Sequence, residues 1–224
     1  MLSGQTGIDM NLAAYIDHTL LKPDASIMQI EAFCREAIEY GFASVCVHSC
    51  NISICKKIIK NQKTAICIVT GFPFGANMTS AKAFETELAL EAGADEIDMV
   101  MNIGAFKDKR YDYVVDDIRK VKAICGDKIL KVIIETAYLN DKEKIEACRI
   151  CIEANADYVK TSTGFGPSGA TIEDIRLIKK TVGDSIKIKA AGGIKTRAFA
   201  EDLIKAGADR LGTSSSIAVM KGRL

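Results

Sequence analysis

Two kinds of hydrophobic pattern alternate along the chain. Short β-branched runs bounded by Gly, Asn, Ser or Thr are typical of buried strands, and longer segments with apolar residues three or four positions apart are typical of helices. The first pattern predicts strands at residues 13–20, 44–49, 65–72, 96–102, 129–136, 158–163, 186–192 and 210–215. The second predicts helices at residues 26–40, 52–60, 79–92, 111–124, 141–154, 171–182 and 196–206, with a short eighth candidate after Ser215.

A recurring return from helix to strand supports this count. The segments EAGADEIDMV, EANADYVKTS and KAGADRLGTS share a helix end, Gly or Asn, Ala, Asp and then a strand. Gly or Asn suits the left-handed residue that ends a helix, and Ser26, Asp141 and Thr171 are predicted to cap helix starts. Eight successive βα units predict an α/β fold, a (β/α)8 TIM barrel, as a single domain over residues 1–224. The alternative is an open doubly wound sheet, although such sheets usually have fewer strands and no GxGxxG follows the first strand.

The composition limits the binding partners and the cellular location that we expect for this protein. The 224 residues are 48% hydrophobic and 26% charged with a formal net charge of +1, so neither nucleic acid nor a membrane surface is an expected partner. The N-terminal sequence lacks the features of a signal peptide, and we expect a cytoplasmic protein. Most of the eight cysteines lie in apolar segments and are expected to be reduced and buried. Cys148 and Cys151 form a CxxC, but its position inside a predicted helix gives little support for a metal or redox role.

Lys160 is the first candidate for chemistry. It ends the short apolar run in YVKTSTGFG (158–166), and small hydroxyl residues follow it. A lysine at the end of a buried strand needs an explanation, because an ammonium group is strongly hydrated. Either the strand ends there and the side chain reaches solvent, or Lys160 is a nucleophilic amine.

A second lysine close to Lys160 would favour the explanation that Lys160 is a nucleophilic amine. In a barrel of this type the chemistry lies at the C-terminal ends of the strands, and the polar residues predicted there are Asp17, His18, Asp98, Asn102, Lys131, Glu135, Lys160, Lys187 and Lys189. Lowering a lysine pKa by about three units costs roughly 4 kcal/mol. The repulsion from a second ammonium at about 4 Å is worth about the same free energy at an effective dielectric near 20. Lys160 and Lys189 lie near the ends of sequential strands and are predicted to form this pair, since Lys187 lies deeper. Alternatively, one of the lysines is structural and pairs with Glu135 or Asp98.

Asp98 interrupts the apolar strand EIDMVMN and is expected to be paired or hydrogen-bonded. A carboxylate at the barrel mouth can move a proton during enamine formation. The alternative is a structural salt bridge with Lys131 or Lys189. With two histidines and no HxH or HExxH spacing, no metal site is predicted.

Small residues follow the last three strands: Gly164, Gly192, Gly193, Gly212, Ser214 and Ser215. The loops after strands seven and eight form the recurring phosphate site of this fold, and glycine lets backbone amides approach an anion. These residues are predicted to bind phosphate. The alternative is that they are ordinary turn glycines and helix caps.

Taken together, these segments resemble a known family. VKTSTGFG, EIDMVMNIGA, LKVIIETAYL, IKIKAAGGIKT and GTSS are similar to the signature segments of the 2-deoxyribose-5-phosphate aldolases, as are IDHTLLKPDAS and GFPFGANMTSAKAFE. The resemblance runs from about Asp17 to about Ser216, in the family's order and spacing.

The resemblance implies a class I aldolase that needs no metal or cofactor and reversibly cleaves 2-deoxy-D-ribose 5-phosphate to D-glyceraldehyde 3-phosphate and acetaldehyde. Lys160 matches the Schiff-base lysine, Lys189 the second lysine and Asp98 the aspartate of the proton relay. Asp17 and Cys46 match residues of the substrate pocket, and the six glycines and serines match the phosphate-binding segments. We expect a homo-oligomer, a dimer or a tetramer.

The chain departs from the family in places. Phe165 stands where some members have lysine and Lys195 where some have arginine, and both changes bear on phosphate affinity. The sequence ends at Leu224 without the C-terminal tyrosine tail that some members place near the active site, so a contribution of such a tyrosine to proton transfer stays open. Two other functions remain open: another phosphosugar enzyme, transaldolase-like or an isomerase, and a non-catalytic phosphosugar-binding protein.

Overall fold

A closed barrel of eight parallel strands forms the centre of the computed structural model, which describes residues 11–222. Neighbouring strands pair in sequence order, and β8 returns to pair with β1. The strands are β1 (Ile16–Thr19), β2 (Ser44–Val47), β3 (Ala65–Thr70), β4 (Glu96–Val100), β5 (Ile129–Ile133), β6 (Tyr158–Lys160), β7 (Lys187–Ala191) and β8 (Arg210–Thr213). The predicted barrel is therefore confirmed, and the open sheet is excluded.

Helices surround the barrel. They are α1 (Ile27–Tyr40), α2 (Ile52–Ile59), α3 (Thr79–Ala92), α4 (Ile103–Lys107), α5 (Tyr111–Cys125), α6 (Asp141–Glu153), α7 (Ile172–Val182), α8 (Arg197–Ala206) and α9 (Ser216–Lys221). Within residues 11–222, no helix is both long and apolar enough to cross a membrane. The single domain predicted over residues 1–224 stays a prediction for residues 1–10 and 223–224, which lie outside the described part.

The strands are shorter than the sequence predicts. The first predicted strand begins with a 3-10 helix, Leu12–Tyr15, and most of the others lose residues at their C-terminal ends. Those ends are rich in Thr, Ser and Gly, whose side chains and backbones bond locally and leave the ladder. The short helix α4 escaped prediction, because five residues show no helical period.

The predicted caps are right in two of three places. Ser26 accepts from the backbone N–H of Gln29 in a full capping box, and Thr171 accepts from the N–H of Asp174. The cap predicted at Asp141 is wrong, because Asn140 holds that position and accepts from the N–H of Glu143. Both residue types cap well, so the sequence alone places the cap one residue late, although the predicted start of the helix at residue 141 is right.

The two faces of the strands carry different chemistry. Ile97 and Met99 of β4 point outward and join the apolar layer between strands and helices. Glu96 and Asp98 alternate with them and are also buried, inside the barrel. Side chains of a strand point alternately to its two faces, so the whole interior row is set by this period of two. The apolar layer stabilises the fold, and the polar interior is left for chemistry.

A buried ion pair joins α3 to α5. The Lys82 ammonium lies 2.7 Å from Asp117 Oδ2 and donates to the Val100 carbonyl at 3.0 Å, and both charged side chains are fully buried. Thr79 donates a further hydrogen bond to Asp117. The inner face of α3 is thus polar, while Phe84 and Leu88 are exposed on its outer face.

Replacing Lys82 with methionine is expected to lower the free energy of unfolding by about 3–5 kcal/mol, because Asp117 is left buried without its cation. Urea denaturation measures the change. Lys120→Met is the matched control, since Lys120 pairs with Asp116 on the exposed face of α5 and its removal is expected to change little. Equal stabilities of the two variants would contradict the buried pair's role.

Candidate active site

Asp98 lies at the centre of the polar barrel interior. Its Oδ1 is 2.9 Å from Lys131 Nζ, and its Oδ2 accepts from Lys160 Nζ at 2.8 Å and from Lys189 Nζ at 2.7 Å. Burial raises the pKa of Asp98, but the neighbouring ammonium groups, led by that of Lys131, outweigh burial and hold this pKa well below its usual range. Asp98 is therefore ionised, and it joins the two lysines that the sequence predicts as a pair.

Lys189 and Lys131 are held as cations. Lys189 contacts Asp17 as well as Asp98, and Lys131 lies 2.6 Å from Glu96 and 3.8 Å from Asp17. Burial lowers the pKa of each lysine, but the facing carboxylates raise it further and leave both pKa values above the ordinary range. Lys131 thus sits among three carboxylates, and its contact with Asp98 matches the salt bridge given as the alternative for Asp98.

Lys160 differs from the other two buried lysines in its surroundings. It hydrogen-bonds one carboxylate, that of Asp98, and its side chain is 2% exposed where those of Lys131 and Lys189 are fully buried. Lys160 alone of the three lines a cavity of about 240 Å³ at the C-terminal ends of the strands. Of the three buried lysines, only Lys160 can therefore be reached by a molecule in this cavity.

Basic residues outnumber carboxylates in the interior cluster. The cluster contains four basic residues (Lys131, Lys160, Lys189 and Arg210) and three buried carboxylates (Asp17, Glu96 and Asp98). Lys131, Lys189 and Arg210 alone match the carboxylates in number, and a buried charge without a partner is costly. The charge count therefore sets Lys160 apart as the basic residue that the three carboxylates do not require.

The six predicted phosphate residues all line the same cavity. Gly164, Gly192, Gly193, Gly212, Ser214 and Ser215 surround it together with Lys160, Thr163, Lys22 and Lys195. Thr213 ties the loops after β7 and β8 together, because its hydroxyl donates to the Ile194 carbonyl at 2.6 Å and accepts from the Ser215 N–H at 2.9 Å. Thr161 similarly bridges to the backbone of Ala191. The hydroxyl residues of the strand ends thus fix the cavity wall.

Two glycines are required by this packing. Gly192 has φ +84°, and a Cβ there would lie 2.9 Å from Gly169 Cα. Gly212 faces the Lys189 stem, and a Cβ there would lie 3.1 Å from Lys189 Cε. The first glycine lets the loop turn beside the cavity, and the second leaves room for the lysine beneath it.

Asp17 and Cys46, predicted as pocket residues, are fully buried and lie outside the set of residues that lines the cavity. Asp17 bonds Arg210 at 2.7 Å and contacts Lys189. Cys46 is the register partner of Cys67, whose thiol donates to Asp98 Oδ1 at 3.2 Å. Both predicted residues therefore belong to the layer beneath the cavity, and a contact with substrate stays a prediction for them.

One group of possible metal ligands lies beneath the cavity, and lysines already contact it. Ligand atoms of Cys46, Cys67 and Asp98 lie within 4.8 Å of one another. Lysine nitrogens bond both oxygens of Asp98, however, and burial raises the pKa of the Cys67 thiol. The donor set is thus poorly suited to a cation, and the absence of a metal stays a prediction. Cys148 and Cys151 are both buried in α6, and burial raises the pKa of each thiol.

His18 points away from the cluster. It follows Asp17 on β1 and so faces the helix layer, where its ring stacks on Phe33 with centroids 3.4 Å apart. Its Nδ1 lies 2.8 Å from Ser216 Oγ and its Nε2 lies 3.1 Å from Glu36. Burial lowers the pKa of His18 to about 3. The Glu36 side chain is 45% exposed, so water screens its opposing effect.

This histidine predicts a pH dependence of stability. The unfolded chain binds the His18 proton below pH about 6.5 and the folded protein only near 3, so the stabilisation is complete above pH 6.5 and is lost as pH falls. Between pH 7 and pH 5, the free energy of unfolding is expected to fall by about 2 kcal/mol more in the wild type than in His18→Gln. Urea denaturation at each pH measures the difference, and parallel profiles would contradict the prediction.

Several residues of the site escape sequence reasoning. Arg210 and Glu96 begin their strands and complete the charge cluster, with Arg210 Nη1 3.3 Å from Glu96 Oε2. Glu135, expected as a lysine partner, instead accepts from the N–H and hydroxyl of Thr163. The alternating pattern of a strand shows that Arg210 and Glu96 face inward. It does not show which residues of other strands they contact.

The fold and the three buried lysines inside the barrel define a protein suited to the chemistry of carbonyl compounds. The chain belongs to the DeoC/LacD family aldolases, whose family profile matches residues 11–222. The deoxyribose-phosphate aldolase of Finegoldia magna is 53% identical over 213 residues, which are 95% of this chain and 100% of that protein. This confirms the resemblance drawn from the sequence motifs.

Two solved structures share the fold. The aldolase QR15 has a TM-score of 0.91 and 44% identity, covering 96% of each chain. The tetrameric deoxyribose phosphate aldolase of Aeropyrum pernix has a TM-score of 0.85 and 31% identity, covering 94% of this chain and 89% of that one.

Proposed function

We propose that this chain is a class I aldolase, a lyase that reversibly cleaves 2-deoxy-D-ribose 5-phosphate to D-glyceraldehyde 3-phosphate and acetaldehyde, with Lys160 as the Schiff-base residue. One observation carries the choice of residue. Lys160 is the buried lysine that lines the cavity, and it shares Asp98 Oδ2 with Lys189. Its amine can therefore meet a carbonyl group while its neighbour remains a fixed cation.

The chemical steps balance on these groups. The amine of Lys160 adds to the C1 aldehyde of the open-chain sugar, and loss of water leaves an iminium. The C3 hydroxyl loses its proton, the C2–C3 bond breaks and its electron pair moves into the iminium, which becomes an enamine. D-Glyceraldehyde 3-phosphate leaves with the new carbonyl at the former C3. Protonation of the enamine and hydrolysis then release acetaldehyde and the free amine.

Asp98 and Lys189 have distinct proposed roles. Asp98 contacts the amine directly and accepts or returns protons during these steps, either itself or through a water molecule. Lys189 adds a positive charge beside the same oxygen and opposes a second positive charge on Lys160 before the reaction. The pocket roles of Asp17 and Cys46 are proposed as indirect, since Asp17 holds Lys189 and Cys46 packs under the site.

The cavity wall is proposed to hold the phosphate. The loops that contain Gly192, Gly193 and Ser214 offer backbone amides beside the Lys160 amine. Binding the distal phosphate fixes the distance and angle between the C1 carbonyl and the amine, which raises their effective concentration.

Incubation with 2-deoxy-D-ribose 5-phosphate tests the proposal. We expect equimolar acetaldehyde and D-glyceraldehyde 3-phosphate, measured by coupled dehydrogenase assays. An isomerised sugar phosphate without acetaldehyde would instead identify an isomerase. Binding without turnover would identify a phosphosugar-binding protein, and either result would overturn the aldolase proposal.

A homo-oligomer is also proposed. The Aeropyrum pernix relative is tetrameric, and Phe84 and Leu88 on α3 expose apolar surface that a second copy would bury. Sedimentation velocity distinguishes a dimer or tetramer from a monomer. A cytoplasmic location without nucleic-acid or membrane partners is proposed as well, supported by the eight free cysteines and the net charge of +1.

A further inference from the structure

Two exposed lysines lie at the cavity wall in addition to the buried Lys160. Lys22 follows β1 and Lys195 follows β7. The strand order places β8 between these two strands, so the two lysines flank the loop that contains Ser214 and Ser215. Neither lysine forms an ion pair with any residue in the described range 11–222. Both ammonium groups are thus available to a ligand.

The backbone at Lys22 is held in place from both sides. Leu21 is buried against Cys46, Cys67 and Val69, and its carbonyl accepts from His48 Nε2 at 3.1 Å. The Lys22 carbonyl in turn accepts from the Ala25 N–H at 3.2 Å. Binding a ligand with Lys22 therefore costs side-chain entropy but little ordering of the loop.

The charge of the cavity wall matches a phosphate monoester. Such a group carries about −1.5 to −2 at pH 7, and Phe165, which is 55% exposed beside Thr163 and Gly164, adds no charge to the wall. Lys160 is committed to the carbonyl end of the substrate. Lys22 and Lys195 are then the two lining cations left for the phosphate.

We propose that Lys22 is a specificity-determining residue that selects phosphorylated over unphosphorylated aldehydes, acting with Lys195 across the loop after β8. This inference rests on the proposed aldolase function. Lys22 belongs to the loop after β1, whereas the phosphate residues predicted from the sequence lie in β8 or in the loops after β6, β7 and β8. Its ammonium contacts the distal phosphate and takes no part in the covalent steps.

A pair of substrates isolates this role. Lys22→Met keeps most of the apolar stem and removes the charge. We expect kcat/KM for 2-deoxy-D-ribose 5-phosphate to fall by about tenfold to a hundredfold, mainly through a higher KM, because a charge-assisted contact to the phosphate is lost. For unphosphorylated 2-deoxy-D-ribose we expect kcat/KM to change less than about twofold, since that sugar makes no such contact. Lys22→Arg should restore most of the preference because it restores the charge.

The matched control is Lys57→Met, which removes an exposed lysine of α2 outside the cavity and is expected to leave both substrates unaffected. Inorganic phosphate, titrated by calorimetry into wild type and Lys22→Met, gives a second readout that needs no turnover. The inference is overturned if Lys22→Met loses both substrates equally, or if it keeps the wild-type preference and phosphate affinity. Failure of the proposed function looks different, because the wild type itself would then cleave neither sugar.

Discussion

Replacing Lys160 with methionine is expected to lower kcat for the cleavage of 2-deoxy-D-ribose 5-phosphate by about 10⁴-fold or more, because no other buried lysine lines the cavity within the described residues. Methionine fills most of the lysine's volume. The charge count predicts that stability changes less than when Lys131 or Lys189 is replaced, because three cations and three carboxylates remain in the interior without Lys160. Steady-state kinetics and urea denaturation measure the two effects separately.

Lys189→Met is the control within the same cluster. It removes a fixed cation and leaves Asp17 and Asp98 short of a partner, so the free energy of unfolding is expected to fall by about 3–5 kcal/mol. A Lys160→Met variant that loses as much stability as Lys189→Met would contradict the charge count. One that retains wild-type kcat would contradict the role of Lys160 itself.

Asp98→Asn is expected to reduce both stability and rate. The variant leaves Lys131 and Lys189 facing a neutral amide, which lowers the free energy of unfolding by about 3–5 kcal/mol at pH 7. Its kcat is expected to fall by about 10²- to 10⁴-fold because the proton acceptor is gone. The direction in which pH changes the stability difference between wild type and Asp98→Asn follows from the lowered pKa of Asp98. The wild type's stability advantage is complete above pH about 4 and is lost as pH falls through the folded-state pKa.

A second substitution separates the two effects. Asp98→Asn with Lys189→Met removes one charge of each sign, so stability is expected to recover in part while kcat stays low. Asp116→Asn, at an exposed ion pair on α5, is the surface control and is expected to change neither quantity. Recovery of kcat in the double variant would show that Asp98 acts only by balancing charge.

The barrel could be predicted because its cause is local. Each strand and helix shows its own period, and the repeated helix ends with Gly or Asn mark where each unit turns back. The nine-residue segment around Lys160 also indicates a strand end with a lysine. The local pattern misses two features. Helix α4 has too few residues to show a period, and either Asn140 or Asp141 could cap α6 because both residue types are good caps.

The pairing within the site could be predicted only in part. Asp98 was expected either to move protons or to form a salt bridge with Lys131 or Lys189, and its contacts include both of these lysines as well as Lys160. These partners are separated from it by 33, 62 and 91 residues. Closure of the barrel brings these residues together in its interior, and the same closure brings Arg210 to Asp17 and Glu96. No pattern within a single strand encodes such contacts.

The central claim is that Lys160 forms a Schiff base, and trapping with acetaldehyde and borohydride tests it most directly. Intact mass followed by peptide mapping is expected to show one reduced two-carbon adduct on Lys160, absent from Lys160→Met. An adduct on Lys189 would mean that the two lysines exchange roles. The absence of any site-selective adduct on folded protein would contradict the Schiff-base account.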